Sequence, residues 1–104
     1  ISGGENIYPA EIEEVISKLP QVSEVTVFGV PHEHWGEEVK AVVILKEGET
    51  IGEEEFLDCC KDHLAGYKRP RSVDFVDDFP RTATGKVLKR ILKKSYWKNQ
   101  ERNI

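Results

Sequence analysis

The apolar residues of this chain recur with two different periods, and their positions predict a short series of helices and strands. After Pro9, apolar residues three and four positions apart predict a helix that ends at Pro20. A valine-rich run predicts a strand at 25–30, and a second strand is predicted at 37–45, with Val39, Ala41, Val43 and Leu45 on one apolar face. The first half of the chain therefore contains one helix and two strands.

The second half repeats the same kinds of element in another order. Thr50 and Glu53 match a capping box ahead of a second helix, and Gly66 ends that helix. A third strand is predicted at 72–76, and a last helix begins near Gly85 and buries Val87, Leu88, Ile91 and Leu92. We therefore predict an α+β fold: about three helices on a small, mainly antiparallel three-stranded sheet, preceded by an N-terminal glycine-rich loop. Residues 1–104 form one domain.

Composition narrows the class of protein. Apolar residues make up 38% and charged residues 33% of the chain, as in a soluble globular domain. No apolar run approaches the roughly 18 residues of a membrane span, and no signal peptide is present. The chain opens at Ile1 without an initiator Met, so we expect a fragment of a longer protein.

Charge is unevenly distributed along the chain. Residues 1–80 hold 7 Lys and Arg against 18 Asp and Glu, whereas residues 81–104 hold 8 basic residues and one acidic residue, Glu101. A basic segment of this kind suits a phosphate-bearing ligand, nucleic acid, an acidic surface or a solvated helix face. The acidic remainder weakens the nucleic-acid interpretation.

Neither the histidines nor the cysteines suggest a metal site or a disulfide. His32 and His34 flank Glu33, but no third ligand lies at a suitable spacing, so we predict no metal. Cys59 and Cys60 are neighbours and point in different directions on a helix, which predicts one packed thiol and one half-exposed thiol. Free thiols favour a reducing, intracellular location.

The segment from Pro80 to Lys86 is the most informative part of the sequence. If Thr84 caps the last helix, Lys86 lies in its first turn, where its charge opposes the helix dipole. Such a lysine suits an anionic ligand better than it suits helix stability. Gly85 and Lys86 are similar to part of a P-loop, but Pro80 occupies the place of the required upstream glycine, which excludes a Walker-type site.

Four motifs, in order along essentially the whole chain, resemble those of the C-terminal domain of adenylate-forming enzymes, a superfamily that includes acyl-CoA synthetases, peptide-synthetase adenylation domains and firefly-type luciferases. The first motif is Ser2-Gly3-Gly4-Glu5-Asn6-Ile7-Tyr8-Pro9-Ala10-Glu11-Ile12-Glu13. The second is Val27-Phe28-Gly29-Val30-Pro31 with Trp35-Gly36-Glu37. The last two are Tyr67-Lys68-Arg69-Pro70 and Pro80-Arg81-Thr82-Ala83-Thr84-Gly85-Lys86. The first motif is closer to the fatty- and aryl-acid branches than to peptide synthetases.

The resemblance implies a two-step reaction that uses ATP, Mg²⁺ and CoA. A carboxylic acid and ATP give an acyl-adenylate and pyrophosphate, and CoA then gives the thioester and AMP. The domain rotates between the steps and presents a different face to a large N-terminal domain. Lys86 matches the lysine that serves only the first step, where its ammonium offsets repulsion between carboxylate and α-phosphate.

For the second step, the resemblance places Gly3, Gly4 and Glu5 at the pantetheine tunnel, with Trp35 and Lys61 as further CoA contacts. ATP and the carboxylic acid bind mainly to the N-terminal domain, which this chain does not include, so the isolated chain is expected to be inactive. The resemblance also implies a cytoplasmic enzyme.

Three other functions remain open from the sequence. The domain could serve an enzyme that loads a carrier protein instead of free CoA. The basic C-terminal segment could belong to a non-catalytic nucleic-acid-binding module, whose affinity would fall steeply with salt. A purely structural interaction domain leaves the placing of Lys86 and of the glycine loop unexplained.

Overall fold

The computed structural model describes residues 8–33, 36–65 and 68–102, which form three helices and one three-stranded sheet. In chain order the elements are α1 (Pro9–Ser17), β1 (Val22–His32), β2 (Gly36–Leu45), α2 (Glu53–Lys61), β3 (Ser72–Phe75) and α3 (Lys89–Arg102). This arrangement confirms the predicted α+β class. The glycine-rich loop lies outside the described residues.

Strand β2 is the centre of the sheet, with β1 on one side and β3 on the other. β1 and β2 pair antiparallel over their whole length, and β2 and β3 pair parallel over four residues. The parallel pair arises because α2 carries the chain back across the sheet between β2 and β3. The sheet is therefore mixed, and its longer pairing is antiparallel.

Side chains alternate between the two faces of the sheet along each strand, and both faces are buried. On one face the sheet packs against α1 and α2; the buried residues there are Ile12, Ile16, Val22, Val27, Val39, Ala41, Val43, Phe56, Cys60, Leu64 and Val73. On the other face Phe28, Val30, Val42 and Phe79 are buried, and Ile44, Val76, Val87, Leu92 and Tyr96 pack against them. The predicted apolar face of the second strand is confirmed.

Helix α3 is joined to the second face by polar contacts as well as apolar ones. The Tyr96 hydroxyl donates to Asp74 Oδ2 at 2.5 Å, and Lys40 Nζ contacts Asp74 Oδ1 at 3.1 Å. The Trp97 indole N–H donates to the Gly29 carbonyl at 3.0 Å. Burial alone would raise the pKa of Asp74, but the hydrogen bonds from Tyr96 and Lys40 lower it below its ordinary value.

The predicted start of the last helix is wrong. The helix begins at Lys89, not near Gly85, and Thr84 does not cap it. Gly85 has φ +92°, and Val87 forms an antiparallel bridge with Arg81, so the backbone before Lys89 is not helical. Ile91, expected in the core, is 51% exposed.

Two smaller expectations also fail. Gly52, not Thr50, is the N-cap of α2, and no side chain caps the helix; the Glu53 carboxylate instead accepts a hydrogen bond from the Val73 N–H at 3.2 Å. β1 is longer than predicted, because it continues through Gly29 and Pro31 to the end of its pairing with β2.

The two thiols lie as predicted. Cys60 is 1% exposed in the first core and Cys59 is half-buried. Burial is the main reason that the pKa of the Cys60 thiol rises to about 11, with a further contribution from Cys59. Within the described residues, no helix is both long enough and apolar enough to cross a membrane.

We predict that Phe56→Ala destabilises the fold by about 3–5 kcal/mol, because Phe56 is 1% exposed and packs edge-on against Phe75. Ile91→Ala is the matched control and should change stability by less than about 0.5 kcal/mol, because Ile91 is largely exposed. Urea unfolding of both variants measures the difference. A comparable loss for Ile91→Ala would contradict the observed exposure of Ile91.

Candidate functional site

The predicted key lysine lies on a short hairpin-like loop between β3 and α3, which we call the Lys86 loop and define as residues 80–88. Arg81 and Val87 form an antiparallel bridge across its base, and the Leu88 N–H donates to the Pro80 carbonyl at 2.8 Å. Val87 packs against the second face of the sheet. The loop is therefore attached to the fold at both of its ends.

The tip of the loop is a tight turn closed by Thr82. The Gly85 N–H donates to the Thr82 carbonyl at 2.9 Å, and the Thr82 N–H donates to the Lys86 carbonyl at 2.8 Å. The Thr82 hydroxyl also accepts a hydrogen bond from the Lys86 N–H at 3.1 Å. This turn requires a glycine because Gly85 has a left-handed backbone, which side-chain-bearing residues rarely adopt.

Lys86 is exposed, although its backbone is fully hydrogen-bonded within the loop. Within residues 8–33, 36–65 and 68–102, its ammonium has no hydrogen-bond or ion-pair partner. The lysine is therefore displayed on a fixed backbone and is not held inside the domain. Lys86 is not in the first turn of a helix, because α3 begins three residues later, at Lys89.

Arg81 is the charged centre of the loop base. Its guanidinium makes a two-pronged contact with Glu24, at 3.1 and 2.6 Å, and donates to Asp78 Oδ1 at 2.9 Å. The hydrogen bond to Glu24, and to a smaller extent the one to Asp78, raises the pKa of Arg81 above its ordinary value. The hydrogen bond from Arg81, helped by the Phe79 N–H, holds the pKa of Asp78 below its ordinary value of 3.8.

A second candidate site surrounds Lys61, at the end of α2. A surface cavity of about 410 Å³ lies between this helix and the segment 69–71; it is lined by Glu54, Leu57, Asp58, Lys61, Arg69, Pro70 and Arg71. Lys61 Nζ lies 3.1 Å from Asp58 Oδ1, and Arg69 Nε donates to the Leu64 carbonyl at 2.8 Å. Three cationic side chains and two carboxylates thus share one open cavity.

The two candidate sites belong to elements on opposite faces of the sheet. Helix α2 packs on the first face through Phe56 and Cys60, whereas the Lys86 loop packs on the second face through Val87, in the cluster that includes Phe79. The fold therefore does not bring Lys61 and Lys86 together in one pocket.

The remaining predicted site residues, Gly3, Gly4, Glu5 and Trp35, lie outside the described residues. Sequence analysis did not select Arg69 and Arg71 as site residues; the structure places them beside Lys61. It also missed the role of Arg81 at the loop base. No local pattern marks that role, because the main partner of Arg81, Glu24, lies 57 positions away along the chain.

Comparison with known proteins gives matches over most of the chain. A family model described as the AMP-binding enzyme C-terminal domain matches residues 11–86. The chain is 49% identical over 96 residues to the long-chain-fatty-acid–CoA ligase FadD13 of Mycobacterium tuberculosis, covering 92% of this chain and 19% of that protein. The chain thus spans about a fifth of the length of this curated relative.

Solved structures give the same picture. The crystal structure of ATP-bound MatB from Rhodopseudomonas palustris matches with a TM-score of 0.86 and 47% identity, over 92% of this chain and 19% of that one. A double mutant of o-succinylbenzoate CoA synthetase from Bacillus subtilis, bound with its product analogue OSB-NCoA, matches with a TM-score of 0.79 and 43% identity. That match covers 89% of this chain and 19% of the other.

We predict that the loop base makes stability depend on pH in the acidic range. Because the pKa of Asp78 is lowered in the folded state, its contribution is present above the unfolded value of 3.8 and is lost as the pH falls through the folded value. Urea unfolding of Asp78→Asn should therefore show a smaller loss of stability than the wild type between about pH 5 and about pH 2.

Asp77→Asn is the control for that experiment, because the Asp77 side chain makes no hydrogen bond or ion pair to any described residue. It should keep the pH dependence of the wild type. An equal flattening in both variants would show that the Asp78–Arg81 contact is not responsible.

Proposed function

Because this chain belongs to the family of AMP-binding enzyme C-terminal domains, we propose that it is the mobile C-terminal domain of an ATP-dependent acyl-CoA synthetase. The matched relatives and structures support this class: they include a long-chain-fatty-acid–CoA ligase, an ATP-bound MatB structure and a CoA synthetase bound with its product analogue. The observation that carries the proposal is the exposed ammonium of Lys86, which has no hydrogen-bond or ion-pair partner among the described residues, on a hydrogen-bonded loop.

In the first step, a carboxylate oxygen attacks the α-phosphorus of ATP, the bond to pyrophosphate breaks, and acyl-adenylate forms. Both reacting groups are anionic, so their approach is opposed by charge repulsion. Lys86 places a positive charge between the carboxylate and the α-phosphate as the new bond forms. A donor of this kind is worth about 3 kcal/mol in the transition state, or roughly a hundredfold in rate.

In the second step, the CoA sulfur attacks the acyl carbon, AMP leaves, and the thiol proton is released. Lys86 has no part in this step, since the phosphate anion is now the leaving group. The domain turns its other face to the reaction, and the cavity at Lys61, Arg69 and Arg71 contacts the phosphates of CoA. Arginine suits such a site because its planar fork binds phosphate through two parallel hydrogen bonds.

The remaining parts of the proposal concern residues outside the described ranges. Gly3, Gly4 and Glu5 admit the pantetheine arm, and Trp35 contacts CoA. The domain works with its own N-terminal domain, which holds ATP and the carboxylic acid. Mg²⁺ is expected with ATP; among the described residues, no group of three or more His, Cys, Asp or Glu side chains is placed to hold a metal ion. No step above runs through it.

We predict that Lys86→Ala in the full-length enzyme slows acyl-adenylate formation by about a hundredfold or more, because a charge at the reacting phosphate is lost. Thioester formation from supplied acyl-adenylate should keep its wild-type rate. The two half-reactions are measured separately, by pyrophosphate release and by CoA thioester formation. Lys94→Ala, which removes an exposed cation from α3, is the control and should affect neither step. Equal losses in both half-reactions would refute the role of Lys86.

We predict that Lys61→Ala raises the KM for CoA about fivefold, equivalent to roughly 1 kcal/mol for one exposed charge contact. Adenylate formation should not change, because Lys61 lies on the opposite face of the domain. Lys18→Ala is the matched control: Lys18, the C-cap residue of α1, also forms an exposed ion pair, 3.9 Å from Glu14. A rise in the KM for ATP instead of CoA would contradict the assignment of the cavity.

A further inference from the structure

We propose that Arg81 is a positioning residue for Lys86: it fixes the peptide unit that precedes the Cα atom of Lys86. This inference rests on the proposed role of Lys86 in adenylation and goes beyond it. Arg81 lies at the base of the Lys86 loop, and its side chain reaches along the loop to its tip. Nη1 of Arg81 donates to the carbonyl oxygen of Gly85 at 3.2 Å.

That carbonyl belongs to the peptide bond between Gly85 and Lys86. The N–H of the same peptide bond donates to the Thr82 hydroxyl at 3.1 Å. The peptide plane is therefore held at both of its polar atoms, by Arg81 on one side and by Thr82 on the other. Since a peptide unit is rigid, these two contacts set the direction in which the Lys86 side chain leaves the backbone.

Arg81 is itself held by rigid parts of the fold. Glu24 lies on β1, where its backbone pairs with Ile44 of β2, and it contacts the guanidinium with both carboxylate oxygens. Asp78, in the segment before the loop, accepts from Arg81 Nε. The guanidinium therefore connects the tip of the loop to the sheet, and this contact fixes the position of the tip.

The same contacts argue against a direct catalytic role for Arg81. A guanidinium has five N–H groups, and the hydrogen bonds to Glu24, Asp78 and Gly85 use four of them. Two carboxylates also offset its single positive charge. Little donor capacity or charge is left for a substrate, so Arg81 acts through the backbone of the loop.

The loop needs such a contact because its tip contains Gly85, the residue type with the greatest backbone freedom. Without Arg81, the Gly85 carbonyl loses its partner within the loop, and the peptide plane before Lys86 is free to rotate. A displacement of about 1 Å of a reacting group costs on the order of a hundredfold in rate. The expected consequence is a selective loss of the step that uses Lys86.

A double-mutant cycle in the full-length enzyme tests this inference. Arg81→Ala should lower kcat for acyl-adenylate formation by about tenfold to a hundredfold, with little change in the KM for ATP. Thioester formation from supplied acyl-adenylate should stay at its wild-type rate. In the Lys86→Ala background, Arg81→Ala should have no further effect on adenylation, because it acts only through the lysine.

Arg81→Lys keeps a cation but cannot make the forked contact with Glu24 while also reaching Gly85. It should therefore show the same selective loss, and it replaces Arg81→Ala in the experiment if that variant does not fold. Arg90→Ala, an exposed arginine of α3, is the charge-matched control and should behave like the wild type.

Three results would overturn the positioning role of Arg81 and leave the proposed function of Lys86 standing. One is an Arg81→Ala effect that persists undiminished in the Lys86→Ala background; another is an equal loss of both half-reactions, which indicates a general structural role. The third is wild-type adenylation by the Arg81 variants while Lys86→Ala is impaired, in which case only the positioning role fails. If Lys86→Ala itself leaves adenylation intact, the proposed function fails and the positioning role fails with it.

Discussion

The burial of both faces of strand β2 is the constraint on which the rest of this domain depends. Val39, Ala41 and Val43 face the helices α1 and α2, and Val42 faces the side of α3. A strand with two apolar faces needs a covering layer on each side, and this small chain supplies both. The layers then determine where the cationic side chains lie: Lys61 on one side of the sheet and Lys86 on the other. Two separate faces suit the proposed function, in which the domain serves two successive steps.

The Lys86 loop separates two properties that the proposed role of Lys86 requires. Its ammonium must be free to meet an anion, and its backbone must be fixed so that the ammonium arrives at the right place. Here the backbone N–H and carbonyl of Lys86 both pair with Thr82, and the preceding carbonyl pairs with Arg81. The hydrogen bonds within the domain thus offset the loss of conformational entropy on ordering the loop, before any substrate binds. What remains mobile is the four-carbon side chain and, in the proposed function, the whole domain.

The sequence predicts the sheet better than it predicts the loop, for a physical reason. Every second residue of β2 lies on the same face, which is a local pattern, and this pattern correctly places Val39, Ala41 and Val43 together in one core. The start of α3 depends instead on contacts that no local pattern records: the bridge from Val87 to Arg81 and the bond from Leu88 to Pro80. The run from Gly85 to Leu92 has helical spacing, but the left-handed Gly85 keeps its first residues extended.

The capping box at Thr50 failed similarly, since Glu53 binds the β3 backbone. For the candidate site, the resemblance to a known family proposed Lys86 and Lys61, whereas the contact between Arg81 and Glu24 needed coordinates, because Glu24 is far away in sequence.

The central claim is that the two faces of this domain serve two different steps. Hydrogen–deuterium exchange of the full-length enzyme tests it most directly, with a non-hydrolysable acyl-adenylate analogue bound in one sample and a CoA-thioester product analogue in the other. The account predicts that the adenylate analogue protects residues 80–88, and that the CoA analogue protects α2 and residues 69–71 instead. Protection of the same face by both ligands would contradict it.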